Sequence, residues 1–164
     1  MYDEKFMRRA IEISRTAIDI PGAEPFGAVV VRDGIVIGEG LNRAAALMDP
    51  TSHGEVEAIR DACRKLGTRD LSACELYTSC EPCTLCVATM HIVGISALYY
   101  AVSLSQSWNA LKHLGQHVRR YTISAVDLRT QCGLPVHERK MPASTHLAEV
   151  AIPAIDAWAT SRSG

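Results

Sequence analysis

The sequence predicts an α/β fold, a three-layer α/β/α sandwich built on a mixed five-stranded sheet. Two apolar segments separated by a tight turn predict an antiparallel hairpin near the start of the chain. Short apolar strands then alternate with segments of helical period, which favours parallel strands with helices on both faces of the sheet. The 164 residues are enough for a single domain, 1–164, with its own hydrophobic core.

The first part of the chain predicts a helix followed by the hairpin. Residues 2–20 place apolar side chains at spacings of three and four before Pro21-Gly22, which indicates one buried helical face. Gly27–Val31 is a short apolar strand, and Arg32-Asp33-Gly34 turns the chain into a second strand, Ile35–Gly40. The apolar positions of the helix are Phe6, Ala10, Ile13, Ala17 and Ile20.

The middle of the chain predicts two more helices and two more strands. Residues 52–66 have a helical period, and a short helix follows Pro82. Strands are predicted over Leu76–Ser79 and Ile95–Ala101. The inward positions would be Val56, Ile59, Cys63 and Leu66 in the first helix, and Val87 and Met90 in the second.

The last third of the chain has weaker patterns. Residues 104–114 have helical character, and 121–126 predict the fifth strand. A loop is expected from Gly133 to Pro142. Residues 145–160 have helical spacing interrupted by Pro153, so that the helix either kinks at this proline or begins there.

Composition argues for a cytoplasmic protein. Lysine plus arginine number 17 and aspartate plus glutamate 18, giving a net charge of −1, which does not indicate a nucleic-acid partner but leaves a local basic patch open. The first five residues are charged and lack an apolar signal region. No apolar run reaches the roughly 20 residues that span a bilayer, so we expect no membrane partner.

Two short motifs carry the chemistry of the chain. His53-Gly54-Glu55 is followed by Pro82-Cys83-Thr84-Leu85-Cys86, so one imidazole and two thiolates are available for a zinc ion. Three protein ligands leave the fourth tetrahedral position open for water, which distinguishes a catalytic zinc site from a structural one. Glu55 lies two residues from the imidazole and is the candidate for moving protons.

The predicted helices explain this spacing. Pro82 suits the first turn of a helix, and Cys83 and Cys86 then lie on one helical face, close enough to share a metal. A helix N-terminus also lowers thiol pKa values, which favours the thiolates that zinc requires. Because His53 lies at another predicted helix start, we expect two helix N-termini to converge on one ion.

Other readings of the same residues stay open. A Cys-x-x-Cys pair also occurs in redox sites and in structural zinc sites. Glu55 is spaced as the acid of a capping box that begins at Ser52, and His53 alone could be a hydrogen-bonded, partly buried histidine. Cys80 extends the cysteine run, but Pro82 argues against one continuous helix, so we place Cys80 outside the metal shell.

Residues of about 5–101 resemble the cytidine deaminase-like superfamily, in which His-x-Glu and Pro-Cys-x-x-Cys together mark zinc nucleobase deaminases. The similarity is strongest to the guanine deaminase branch. The segments that carry it are Pro25–Val31, Gly40–Asn42, Asp49–Arg60 and Leu76–Cys83.

The resemblance implies a role for each matching residue. Zinc would be held by His53, Cys83 and Cys86. Glu55 would be the catalytic proton shuttle, and Asn42 would hydrogen-bond the substrate ring, unless it only caps a turn. The N–H of Gly54 would meet a ring carbonyl, and Phe26 would form part of an aromatic wall, unless it only packs in the core.

Some positions depart from the family pattern. Gly54 replaces the alanine that is usual between the histidine and the glutamate. The segment Val102–Gln106 has no acidic residue, whereas guanine deaminases carry one there that contacts the base. His91 is a candidate for that substrate contact, with an ordinary surface position as the alternative.

The resemblance implies a hydrolytic deaminase of purine metabolism that converts an exocyclic amine of a guanine-like base to a carbonyl and releases ammonia. The alternatives are a tRNA adenosine deaminase, a cytosine deaminase, and a catalytically silent zinc-containing interaction subunit. A homodimer is also implied, in which the C-terminal segment of about 133–164 is exchanged between subunits.

Overall fold

The computed structural model describes residues 1–114 and 123–162 of the chain. The chain divides into two compact units, Met1–Thr122 and Ile123–Gly164. The expectation of a single domain with a segment exchanged between subunits stays a prediction.

The first unit is built on a mixed sheet, which confirms the predicted α/β class. In the described residues its strands are β1 (Glu24–Arg32), β2 (Ile35–Asn42), β3 (Glu75–Cys80) and β4 (Ala97–Val102). Their order across the sheet is β2-β1-β3-β4. Strand β1 pairs antiparallel with both β2 and β3, and β3 pairs parallel with β4.

The predicted hairpin is confirmed and its strands are longer than expected. Asp33 and Gly34 connect β1 to β2, with φ angles of 51° and 75°. Positive φ at both central residues is typical of the type I′ turn, whose twist matches that of the two strands.

Helices cover both faces of the sheet. Helix α1 (Glu4–Arg15), extended by a 3₁₀ turn over Thr16–Asp19, packs on one face. Helices α3 (Gly54–Leu66) and α4 (Thr84–Val93) pack on the other. Two shorter helices, α2 (Ala44–Leu47) and α5 (Leu104–Leu111), follow strands β2 and β4.

One predicted inward position in α4 is wrong. Val87 is exposed, whereas Met90 is buried as expected. The buried stripe of the helix is Cys86, Met90 and Val93, with the spacings of four and three that place side chains on one face. Val87 lies about 100° around the helix from Cys86 and is therefore outside that stripe.

The second unit is helical. It contains α6 (Ala125–Gly133), a 3₁₀ turn over Val136–Glu138, and α7 (Ala148–Thr160), with Pro153 inside the last helix. The fifth strand predicted over 121–126 is not found in the described residues, and residues 121–122 lie outside them. The local reason is a helix cap, because the Ser124 hydroxyl accepts a hydrogen bond from the Asp127 N–H at 3.0 Å.

Within the described parts of the chain, no helix has both the length and the apolar character needed to cross a membrane.

Helix α3 contacts the hairpin backbone to backbone, through two glycines of β2. A Cβ atom at Gly40 would lie 2.1 Å from the carbonyl oxygen of Gly54 and 2.4 Å from the amide nitrogen of Ala58. A Cβ atom at Gly38 would lie 2.2 Å from the carbonyl oxygen of Ala58. Because these neighbours are main-chain atoms, they cannot rotate away, and the first turns of α3 are fixed against the sheet.

We expect Gly40→Ala to lower the free energy of unfolding by about 1–3 kcal/mol, because the added methyl group overpacks the α3–β2 contact. Thermal or denaturant unfolding measures this loss. Gly133→Ala is the matched control, since nothing lies within 4 Å of a Cβ atom there, and we expect it not to destabilise the protein. Equal stability of the two variants would contradict the close approach.

Candidate metal centre

The structure brings His53, Cys83 and Cys86 together at the start of two helices. His53 is the N-cap residue of α3, and Cys83 is the N-cap residue of α4. Cys86 follows in the first turn of α4 and is fully buried. Pro82 therefore precedes the helix, whereas the sequence predicted it inside the first turn. Cys83 has an extended backbone, with ψ of 173°, so the helix begins only at Thr84.

The distances between the three ligand atoms fit a zinc ion. Nδ1 of His53 lies 3.4 Å from Sγ of Cys83 and 3.4 Å from Sγ of Cys86, and the two sulfurs are 3.6 Å apart. In a tetrahedral site with standard zinc bond lengths, the distance between two ligand atoms is about 3.6 Å for nitrogen and sulfur and about 3.8 Å for two sulfurs. The three side chains thus already stand close to the spacing that one tetrahedral ion would impose.

Glu55 borders this cluster from the first turn of α3. The residue is only 6% exposed. Oε2 accepts a hydrogen bond from Sγ of Cys86 at 3.3 Å, and Oε1 accepts one from the Thr78 hydroxyl at 3.2 Å. Burial raises the pKa of Glu55, so that both protonation states of the carboxyl group become accessible nearer neutral pH.

The electrostatics of the cluster favour a cation. Hydrogen bonds from Cys86 and His53 lower the pKa of the Cys83 thiol to about 4, although burial acts in the opposite direction. The hydrogen bond with Cys83 raises the pKa of His53. The hydrogen bond with Cys83 raises the pKa of the Cys86 thiol, so two thiolates beside the buried Glu55 would need a positive charge to compensate them. The donor set therefore suits zinc chemically as well as geometrically.

Three predicted substrate contacts lie at the same end of the hairpin. Asn42 ends β2, is 3% exposed, and accepts a hydrogen bond through Oδ1 from the Ala44 N–H at 3.1 Å. This is the turn-capping role, and it also fixes the orientation of the Asn42 amide. Phe26 is half-buried in β1, and its carbonyl oxygen would lie 2.5 Å from a Cβ atom at Gly54. The missing side chain at Gly54 therefore permits a close backbone contact.

The structure does not bring His91 to this cluster. His91 is exposed and lies five residues beyond Cys86 in α4, about 7.5 Å further along the helix axis and about 140° around it. It lines a shallow surface depression together with Arg69, Asp70 and the end of α4. The residues that contact the far edge of a ring have therefore to be sought elsewhere.

Thr78 is a site residue that sequence reasoning missed. It is fully buried in β3, on the same face of the sheet as Leu76, and its hydroxyl donates to Glu55. The sequence did contain a sign of this role, because Thr78 is a hydroxyl residue within a buried apolar strand. Side chains alternate between the two faces of a strand, and this alternation places Thr78 on the face that α3 covers. Cys80, by contrast, is buried and lies outside the group of candidate ligands, as expected.

Residues 1–102 match the family model described as the cytidine and deoxycytidylate deaminase zinc-binding region. Over 101 residues the chain is 44% identical to a guanine deaminase of Bacillus subtilis, a match that covers 62% of this chain and 65% of that protein, just under two thirds of its length. These matches confirm the resemblance inferred from the sequence, and with it zinc as the cofactor of the family.

Two solved structures extend the comparison. The crystal structure of the Bacillus subtilis guanine deaminase is similar with a TM-score of 0.80 and 32% identity, over 98% of this chain and 95% of that one. A structure from a study of tRNA A34 deaminases is similar with a TM-score of 0.58 and 41% identity, over 62% of this chain and 72% of that one.

We expect the purified protein to contain about one zinc ion per chain, and His53→Ala or Cys86→Ser to lose most of it, because two remaining ligands bind zinc weakly. Elemental analysis after gel filtration measures the metal. Cys80→Ser is the matched control, because it removes a neighbouring buried thiol outside the ligand group and should retain zinc. Loss of zinc in this control alone would show that the ligand set is wrong.

Proposed function

The chain belongs to the family of cytidine and deoxycytidylate deaminase zinc-binding domains, and from that premise we propose that it is a zinc-dependent hydrolytic deaminase of a guanine-like heterocyclic base. The reaction replaces an exocyclic amine by a carbonyl oxygen, consumes water and releases ammonia. The observation that carries the proposal is a buried carboxylate, Glu55, held 3.3 Å from the sulfur of a candidate zinc ligand.

In this proposal His53 holds zinc through Nδ1, and Cys83 and Cys86 hold it through their sulfurs. A bound zinc ion supplies an acidified water molecule, with a pKa of about 7, as the source of the nucleophile. The thiolate form of Cys83, favoured by its hydrogen bonds, makes it ready to bind the metal.

Glu55 is the catalytic residue that moves protons. Its carboxylate accepts one proton from water and delivers it to a ring nitrogen, and then takes the second proton from the added hydroxyl group and transfers it to the departing amine, which leaves as ammonia. Oε1 of Glu55 accepts a hydrogen bond from the Thr78 hydroxyl, and this contact would remain and fix the rotamer when the Cys86 thiolate holds zinc. Burial raises the pKa of Glu55, which favours its uptake of a proton.

The base would be oriented by three groups around the cluster. Because Oδ1 of Asn42 is engaged by the Ala44 N–H, its amide nitrogen is directed as a donor toward an acceptor on the ring. The N–H of Gly54, in the first turn of α3, has no partner inside the helix and suits a ring carbonyl. Phe26 would pack against the face of the base.

The extent of the structural similarity favours a free base over tRNA. The similarity to the guanine deaminase structure covers both units of this chain, whereas that to the tRNA deaminase structure covers 62% of it. A tRNA adenosine deaminase remains the second candidate, because its 41% identity over the shared part is close to the 44% of the guanine deaminase over its own match.

The assembly we propose is a homodimer with the C-terminal segment exchanged. Apolar side chains of α4 and α7 are exposed, including Ile92 at 84% and Trp158 at 63%, and isolated apolar helices are unstable in water unless a partner covers them. Gel filtration with light scattering should give a mass of about twice 17.8 kDa. A monomer at micromolar concentration would rule this assembly out.

Ammonia release tests the function directly, with guanine and related amino-purines, cytosine, nucleosides and a tRNA anticodon stem-loop as substrates. We expect turnover of a free amino-purine base. Activity on the stem-loop but on no free base would favour the tRNA adenosine deaminase, and turnover of cytosine alone would identify a cytosine deaminase. A zinc-loaded protein without any activity would favour the silent interaction subunit.

Variants at the proton shuttle make the same assay specific. Glu55→Gln should retain zinc and lose about 10²–10⁴ in kcat, since it removes the general acid–base group. Thr78→Val should lower kcat by about 10–150-fold, because a buried hydrogen bond to a charged group contributes about 1.5–3 kcal/mol, and Thr78→Ser should restore most of the activity. Glu12→Gln, an exposed change on α1, is the control. Near-native turnover of Glu55→Gln would refute the assigned role.

A further inference from the structure

We propose that Glu57 and Arg60 are positioning residues, which hold His53 in place by fixing the segment 49–52 that leads into it. They lie on α3, beyond the cluster, and neither is one of the candidate metal ligands. The inference rests on the proposed function, because it takes His53 as a zinc ligand.

Arg60 connects the helix to the segment through both ends of its guanidinium group. Nη1 donates to Oε1 of Glu57 at 2.6 Å, and Nη2 donates to the Thr51 hydroxyl oxygen at 3.0 Å. The planar fork of an arginine can hold two acceptors in fixed directions, which a lysine ammonium group cannot do. One side chain thereby fixes the distance between Thr51 and Glu57.

Asp49 and Thr51 also form hydrogen bonds with each other inside the segment 49–52. Oδ1 of Asp49 accepts hydrogen bonds from the Thr51 N–H at 2.8 Å and from the Thr51 hydroxyl at 2.7 Å. Oδ2 lies 3.7 Å from Nη1 of Arg60. Thr51 therefore accepts from the arginine and donates to the aspartate, so a shift of either charged group would move it.

Ser52 is the direct connection to His53. It is fully buried, its hydroxyl donates to Oε1 of Glu57 at 3.1 Å, and its carbonyl oxygen accepts from the Arg43 N–H at 3.0 Å. Glu57 also lies 4.0 Å from the Arg43 guanidinium group. The residue before His53 is thus held from α3 on one side and from the end of the hairpin on the other.

The geometry of His53 makes this support important for the metal. His53 faces both sulfurs through Nδ1, the ring nitrogen nearer to the backbone. A ligand atom close to the main chain has little freedom to compensate when the main chain moves. The cysteines lie on a different helix, α4, so a displacement of the segment 49–52 would change the spacing between the imidazole and the sulfurs.

Lys65, further along α3, pairs within its own helix instead of with the segment 49–52. Lys65 pairs with Asp61 four residues earlier, at 2.7 Å, and its side chain is half exposed. Lys65→Met therefore removes one positive charge from the same helix without touching the segment 49–52. It is the matched control for Arg60→Met, which keeps the length of the side chain and removes both of its hydrogen bonds.

The test is zinc affinity, measured by chelator competition on the full chain, with thermal unfolding of the metal-free proteins alongside. We expect Arg60→Met to weaken zinc binding by about 10–100-fold, the range found for groups that orient metal ligands, while Lys65→Met stays within about twofold of the unchanged protein. The metal-free variants should unfold at similar temperatures. Arg60→Lys should restore only part of the affinity, because it cannot reach both acceptors at once.

Each outcome decides the question. The inference would be overturned if the zinc affinity of Arg60→Met lay within about twofold of that of Lys65→Met, whether both variants kept their affinity or both lost it. If Arg60→Met does not fold, Thr51→Val, which removes the bridging hydroxyl and leaves all charges in place, is judged by the same criterion. Absence of zinc from the unchanged protein would instead refute the proposed function, so the two failures are distinguishable.

Discussion

The rest of this structure depends on the burial of ionisable side chains where two helices begin. Cys86 is fully buried and Glu55 nearly so, and they are in hydrogen-bond contact with each other. The hydrogen bond with Cys83 raises the pKa of Cys86, and burial raises that of Glu55, so both groups favour their neutral forms here. Binding zinc through the Cys86 sulfur would require its thiolate, and the charge of the cation, with the positive ends of two helix dipoles, would compensate that ionisation.

Close backbone contacts make the site geometrically possible. Gly38 and Gly40 let α3 lie against β2, and Gly54 lets the first turn of α3 approach the Phe26 carbonyl group. Since His53 and Glu55 flank Gly54, the depth at which α3 packs also sets the positions of an imidazole and a carboxylate. Packing and chemistry are thus controlled by the same few positions that lack a side chain.

Local patterns predicted the α/β class, most elements of the first unit and the candidate metal ligands, whereas a competing local signal and a contact distant in sequence were missed. The hairpin, helix α3 and the residues His53, Cys83 and Cys86 follow from turn residues, periodicity and ligand spacing, all short-range features. Strand 121–126 failed because Ser124 caps a helix, a signal that competes locally with apolar character. Thr78 was missed because its partner is 23 residues away in the chain.

The residues proposed for catalysis lie in a part of the chain that deaminases with different substrates have in common. The candidate metal ligands and the proposed proton shuttle all lie within residues 1–102, a region in which a guanine deaminase and a tRNA adenosine deaminase match this chain at similar identity. Residues common to both groups cannot discriminate between their substrates. Discrimination has to come from positions at which the groups differ, and the segment 102–106, which lacks the expected acidic residue, is one such place in this chain.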